Sequence, residues 1–146
     1  MTSNKNIVIC DIDGTVANND HRQHLLQGFK TWDKFFGALD KDTPIQEEIN
    51  YVKELNQNGK EIIFITGRPE RYRKKTIAWL KNYFDFEIKV LMRKDNDIRD
   101  KVLVKKDIFE ENFKPEEILV TIENDKDLVA LWRSLGLETR ATYETN

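Results

Sequence analysis

Ile7-Val8-Ile9-Cys10-Asp11-Ile12-Asp13-Gly14-Thr15-Val16 runs an apolar, largely β-branched stretch straight into two carboxylates on a Gly-Thr turn. Side chains alternate faces along a strand, so Asp11 and Asp13 leave it pointing the same way. Gly14 lets the chain bend sharply where a side chain would obstruct it. Two carboxylates held together at a strand's carboxyl end repel each other unless a cation lies between them or one keeps a proton. The segment reads as a hard-metal site that also carries a nucleophile and an acid/base. Its plain alternative is an ordinary strand running into an Asp-Gly turn.

The rest of the chain repeats strand and helix signals in turn. Ile7–Cys10 is the first strand. Thr43-Pro44-Ile45-Gln46 resembles a helix start, with Thr43 as N-cap and Pro44 at the first helical position. Ile45, Ile49, Val52 and Leu55 keep helical spacing until Gly59. Glu61–Thr66 is a second strand, followed by Gly67-Arg68-Pro69 and a helix to about Tyr83. A third strand is expected over Phe86–Met92, a helix over Asp100–Asn112 and a fourth strand over Ile118–Ile122. Leu128, Leu131, Trp132 and Leu135 mark a last helix ending at Gly136, with an edge strand over Glu138–Thr142. Strands alternating with helices predict an α/β fold, a Rossmann-like three-layer α/β/α arrangement with a central, mostly parallel sheet. Residues 17–43 fit no strand pattern and are too long for a simple connection, so they predict a small helical cap insertion after strand one. In such sheets ligands bind beyond the carboxyl ends of the strands. Asp11 and Asp13, Thr66-Gly67-Arg68, the loop with Arg93 and Arg99, and Glu123-Asn124-Asp125 all fall at that edge.

Composition narrows the function classes. A chain of 146 residues is long enough for one domain with its own core, and its net charge of −2 argues against a protein dedicated to coating DNA. No stretch is apolar enough to span a bilayer, and residues 1–6 read as a short polar lead-in. The single Cys10 excludes an intrachain disulfide and suits a reducing, cytoplasmic compartment. Arg68, Arg71, Arg73, Lys74 and Lys75 form one basic group, and Arg93, Lys94, Arg99, Lys101, Lys105 and Lys106 another. Such runs are ordinarily solvated faces, but convergence on Asp11 would attract a phosphorylated substrate. His21 and His24 read as surface or packing residues, and Trp32 and Phe36 as packing within the insertion.

Four separated elements together resemble the haloacid dehalogenase superfamily of phosphotransferases: Asp11-Ile12-Asp13-Gly14-Thr15, Thr66-Gly67-Arg68, Lys105 in Val102-Leu103-Val104-Lys105, and Ile122-Glu123-Asn124-Asp125. Met92-Arg93, Asp97-Ile98-Arg99-Asp100, Leu131–Gly136 and the His21-Arg22, Trp32-Asp33 and Phe35-Phe36 pieces resemble, more closely, the 3′-phosphatase domain of phage-type polynucleotide kinase/phosphatase. No GxxxxGK[ST] motif occurs, so a kinase activity would come from a separate kinase or repair partner.

The resemblance implies a Mg²⁺-dependent phosphomonoesterase with Asp11 as nucleophile and Asp13 as acid and then base. Thr15 is expected to orient Asp13, and Thr66 with the Gly67 amide to bind phosphate oxygens. Lys105, rather than Lys101 or Lys106, is expected to neutralise developing charge. Mg²⁺ is expected on the Asp11 carboxylate, the Asp13 backbone carbonyl and Glu123 or Asn124. Where the family places an Asp-Asp or Glu-Asp pair this chain has Glu123-Asn124. A carboxamide ligates without charge, so metal is held more weakly unless Asp125 or Asp127 contributes. Arg68, Arg93 and Arg99 offer forks for a second phosphate or a sugar-phosphate backbone. The implied substrate is a 3′-phosphorylated nucleic-acid or nucleotide end, with a nucleoside monophosphate next. A non-catalytic nucleotide or phosphate binder and a receiver-type signalling domain are the alternatives from other classes. The receiver fits badly, since its acceptor Asp would end the third strand.

Overall fold

The computed structural model describes residues 5–26 and 32–145. The polar lead-in before Lys5 and the side chain of Trp32 lie outside the described part. Five strands form one parallel sheet: β1 (Ile7–Cys10), β4 (Glu61–Pro69), β5 (Val90–Arg93), β6 (Ile118–Glu123) and β7 (Thr139–Ala141), in the order β5-β4-β1-β6-β7. Alternation along the strands feeds two cores. Val8, Cys10, Ile62 and Phe64 pack with Ile49 and Val52 of α2 (Gln46–Gln57) and Trp79 and Leu80 of α3 (Arg73–Lys81). Ile9 and Ile65 face Phe109 of α4 (Lys101–Asn112) and Leu128 and Trp132 of α5 (Lys126–Ser134) on the opposite side. The result is the expected helix–sheet–helix sandwich, with β1 at its centre delivering Asp11 to the middle of the sheet's carboxyl edge.

Three boundaries differ from the sequence reading. β4 runs on through Gly67 and Arg68 to Pro69 rather than stopping at Thr66. Thr43 and Pro44 do not open α2. They form a short strand, β3, antiparallel to β2 (Ala17–Asn18), and Ile45 takes the N-cap position instead. Pro44 stands where its fixed φ suits an edge strand as well as a helix start, so the local signal is ambiguous. The third strand begins at Val90 rather than Phe86. Phe86 packs its ring against Phe84 and Phe64 instead of joining the ladder. Segment 17–43 begins and ends in the β2–β3 pair and carries a 3-10 helix over Asp20–Leu26 and α1 (Trp32–Gly37) between them. Phe35, Phe36 and Leu39 make its own small core, with Tyr72 of the sheet domain against Phe36.

Candidate active site

The turn after β1 is tied to one oxygen. The Ile12 carbonyl accepts from the amides of Thr15, Val16 and Ala17, and Gly14 N–H donates to the Ala17 carbonyl. Gly14 has φ +78°, and a Cβ there would stand 2.2 Å from Asn124 Nδ2. Glycine is therefore required twice at this position, for its backbone and for room. The tight turn brings Asp11 against β6 and aims Asp13 toward β4.

Asp11 is buried. Its Oδ1 accepts from Lys105 Nζ at 2.6 Å and its Oδ2 from Thr15 Oγ1 at 2.9 Å. Lys105 also reaches Glu123 Oε1 at 3.3 Å. Burial alone lowers the ammonium's pKa, but the charges of Asp11 and Glu123 outweigh it and hold Lys105 protonated. Glu123 is shifted upward, by burial first and then by the Asp11 charge. Of the three candidate lysines, Lys105 is the one in the site. Lys101 pairs with Asp125 at the surface.

One end of the Asn124 carboxamide lies 2.9 Å from Asp11 Oδ2, 3.0 Å from the Asp13 carbonyl oxygen and 3.1 Å from Thr15 Oγ1. With nitrogen at that end the amide donates to all three. With oxygen there, the Asp11 carboxylate, the Asp13 carbonyl and the Asn124 amide present one oxygen face. Adjacent ligands of an octahedral Mg²⁺ are about 3 Å apart, so the residues present fit that ion. Among the described residues no three His, Cys, Asp or Glu side chains gather to hold a metal, because two of these three donors are amide carbonyls. Glu123 stands behind this face. Its oxygens take N–H groups from Lys105, Trp132, Asn124 and Asp125. Asp125 caps α5 through the Asp127 and Leu128 amides as well as pairing with Lys101, and Asp127 is exposed on α5.

Asp13 is gripped by two arginines. Arg68 approaches it with Nε to Oδ2 at 3.0 Å and Nη2 to Oδ1 at 2.8 Å, and Arg22 Nη2 reaches Oδ1 at 2.6 Å. Burial pushes its carboxyl upward, but Arg68 and then Arg22, by charge and hydrogen bond, bring it down to about 2. Asp13 is thus a carboxylate at neutral pH, the form that accepts a proton. A depressed carboxyl adds stability above its unfolded pKa of about 3.9 and loses it as pH falls through the folded value. For Asp13 that amounts to about 2 kcal/mol, present above about pH 4 and gone below about pH 2. Urea midpoints of the wild type are expected to fall more steeply over that window than those of Asp13→Asn.

The remaining expected contacts separate into two groups. Thr66 is buried in β4 just before the register shift toward Pro69, its hydroxyl accepting from the Arg68 amide at 3.1 Å, with Gly67 beside it. Arg68, Arg93 and Arg99, expected as free forks, are already engaged. Arg68 is buried on Asp13 and on Thr76 Oγ1. Arg93 donates to the carbonyls of Gly67, Asp97 and Arg99, and so holds two rim loops together. Arg99 pairs with Asp97 and Asp107 at the surface. Thr15 bonds Asp11 and Asn124, not Asp13 as expected, because the turn folds its hydroxyl back toward β6. Arg22 and Asp42 belong to the site and were not selected from the sequence. An Arg in a polar helical stretch gives no sign of its depth, and only its place in His21-Arg22 singled it out.

With this geometry in view, the comparisons with known proteins point one way. The profile of the polynucleotide kinase PNKP phosphatase domain matches residues 5–145. A protein of Autographa californica nuclear polyhedrosis virus, named as a bifunctional polynucleotide kinase/RNA ligase, is 27% identical over 135 residues. That match covers 90% of this chain and 18% of the viral protein. A chain in the structure of a Pnkp1/Rnl/Hen1 complex superimposes with a TM-score of 0.79 at 27% identity, covering 92% of this chain and 44% of that one. The class C acid phosphatase from Bacillus anthracis shares the fold, with a TM-score of 0.57 at 16% identity over 89% of this chain and 61% of its own. This chain therefore spans less than half the length of the two nearer relatives. The carboxylate turn after β1, Thr66 of β4, the lysine of α4 and the acidic end of β6 lie within the matched span, and the chain belongs to the polynucleotide kinase PNKP phosphatase domain family, within the haloacid dehalogenase-like phosphatases.

Proposed function

We propose that this phosphatase domain removes the 3′-phosphate from polynucleotide or nucleotide ends, with Mg²⁺, through a phosphoryl group carried on Asp11. The observation that carries the reading is the environment of Asp11. It is a buried carboxylate at the centre of the sheet edge, with Lys105 on one oxygen and the Thr15–Asn124–Asp13 carbonyl face on the other.

In the first step an Asp11 oxygen bonds to phosphorus as the bond to the 3′ oxygen breaks, and Asp13 hands the departing oxygen a proton. In the second, water adds to phosphorus, its proton goes to Asp13, and the acyl-phosphate opens to give inorganic phosphate and free Asp11. Asp13 stands ready for the second step as a carboxylate. The negative charge of an arriving phosphate monoester raises its proton affinity, so that Asp13 takes up a proton from solvent for the first. Thr66 and the Gly67 amide receive phosphate oxygens, and Lys105 offsets the charge that builds on the equatorial oxygens. Asp11, the Asp13 carbonyl and Asn124 would hold Mg²⁺, which would supply the positive charge that lets an anionic nucleophile meet an anionic phosphate. Arg93 and Arg99 act by shaping the rim, since their forks are already on protein oxygens.

The preference for a nucleic-acid end rests on the family and on the nearer relatives, one in an RNA repair complex, and makes a separate kinase or repair protein the expected partner. A cytoplasmic setting suits the buried Cys10 thiol, which burial and then the Asp11 charge push upward and keep unreactive. No helix among the described residues is long and apolar enough to cross a membrane.

Phosphate release from an oligonucleotide 3′-phosphate, a 3′-mononucleotide and a 5′-mononucleotide, with Mg²⁺ and with chelator, tests the reading. Metal-dependent release fastest from the oligonucleotide is expected, and fastest release from the 5′-mononucleotide would move the substrate to free nucleotides. Asn124→Asp adds a charge to the oxygen face and is expected to tighten Mg²⁺ binding about tenfold, read by calorimetric titration.

A further inference from the structure

Asp42 is a fully buried carboxylate that touches neither Asp11 nor the oxygen face, yet it holds both arginines that hold Asp13. Its Oδ1 accepts from Arg22 Nε at 2.8 Å and lies 2.7 Å from His21 Nε2. Its Oδ2 accepts from Arg22 Nη2 at 2.8 Å and lies 3.4 Å from Arg68 Nη2. The four side chains close a ring: Asp42 to Arg22 to Asp13 to Arg68 and back to Asp42. Two negative and two positive charges balance within it. The ring joins distant parts of the fold, since Arg22 lies near the start of the insertion, Asp42 near its end and Arg68 near the end of β4.

Asp42 is itself fixed from outside the ring. Its amide donates to the Leu39 carbonyl and its carbonyl accepts from Trp79 Nε1 at 2.8 Å. Arg22 is pinned further by the Phe35 carbonyl at 3.0 Å and by lying over the Phe35 ring. A guanidinium left with one carboxylate can pivot about it. One clamped between two cannot turn without breaking both sets of bonds. The Arg22 fork presents Nε and Nη2 to Asp42 while the same Nη2 serves Asp13, so the place of Asp13 is set by where Asp42 sits.

We infer that Asp42 is a positioning residue of the phosphatase: it acts through Arg22 and Arg68 to fix the carboxylate of Asp13 at the proton-transfer position. The inference rests on the proposed roles of Asp11 and Asp13. Asp42 has no contact with the phosphate-binding or oxygen-face residues, so its loss is expected to lower kcat and spare KM. A misplacement on the order of 1 Å at a reacting group costs about 10²-fold.

The test compares wild type with Asp42→Asn and Asp42→Glu, each with its thermal melt. Asp42→Asn turns an N–H toward guanidinium N–H groups and breaks one side of the clamp. Asp42→Glu keeps the charge that the buried arginines require and displaces its oxygens by one methylene. On an oligonucleotide 3′-phosphate both are expected to lose about 10²-fold in kcat with KM within about twofold, in protein that melts cooperatively. On p-nitrophenyl phosphate, whose leaving group needs no proton, they are expected to release a burst of one p-nitrophenolate per enzyme. Slow turnover then follows, because only the Asp13-assisted attack of water is impaired.

Folded variants with wild-type kcat, or with KM raised in step with the loss of kcat, or without a burst, would overturn the inference. Failure of both variants to fold would assign Asp42 to the fold alone and overturn it too. A wild type that hydrolyses none of these esters with Mg²⁺ refutes the proposed function instead, which keeps the two failures apart.

Discussion

Asp11→Asn is expected to abolish phosphate release, by about 10⁴-fold or more in kcat, in a protein that still folds. The magnitude follows from the role. A carboxamide oxygen cannot form the acyl-phosphate, and among the described residues no other carboxylate meets the same oxygen face. Asp13 is turned away into the grip of Arg68 and Arg22, and Glu123 is enclosed by N–H donors. The fold is expected to survive because Lys105 keeps Glu123 as counter-ion and Thr15 keeps an oxygen to bond. Removing the Asp11 charge also relieves the repulsion that lifts the Glu123 carboxyl. Steady-state assays beside a thermal melt check both halves. Activity within tenfold of wild type in folded protein contradicts the assignment.

Lys105→Met is expected to cost the most stability. Lys105 is 3% exposed and its ammonium lies between two buried carboxylates. Taking one partner from a buried ion cluster leaves charge without compensation and typically costs about 3–5 kcal/mol. The cost is partly returned when Glu123 or Asp11 takes up a proton, and added Mg²⁺ is expected to restore some stability. Lys101→Ala is the control. Its salt bridge to Asp125 is solvent-exposed, and such pairs are worth about 0–1 kcal/mol. Urea unfolding of both variants, with and without Mg²⁺, measures the contrast. Equal effects from the two lysines would mean that Lys105 is not the counter-ion of the site.

The fold was legible because its signals were local. Ile7–Cys10, Glu61–Thr66 and Ile118–Ile122 are short buried runs that read as parallel strands, and all three lie in one sheet. Where Thr43 and Pro44 failed as a helix start, the deciding partner was Ala17–Asn18, some 25 residues away, which no local pattern reports. The site divides in the same way. Asp11 and Asp13 follow the end of β1, Thr66 lies toward the carboxyl end of β4 and Lys105 in the first half of α4, so their place at the sheet edge follows from topology. What Arg68 touches depends on a reach across the sheet to Asp13 that its own sequence neighbours do not encode. Arg68, Arg93 and Arg99, which read as substrate grips, each bind a carboxylate or carbonyl of the protein instead. Asp42 was invisible for the opposite reason: it stands just before the expected helix start at Thr43-Pro44, and only burial reveals a charge at work.

The most direct measurement is acid quenching of wild type during turnover of an oligonucleotide 3′-phosphate with Mg²⁺, followed by peptide mass analysis. One phosphoryl group on the peptide containing Asp11, absent without Mg²⁺ and absent in Asp11→Asn, is the predicted result. Steady turnover with no phosphoryl-enzyme trapped at any quench time, or with the phosphoryl group on a different residue, would contradict the account.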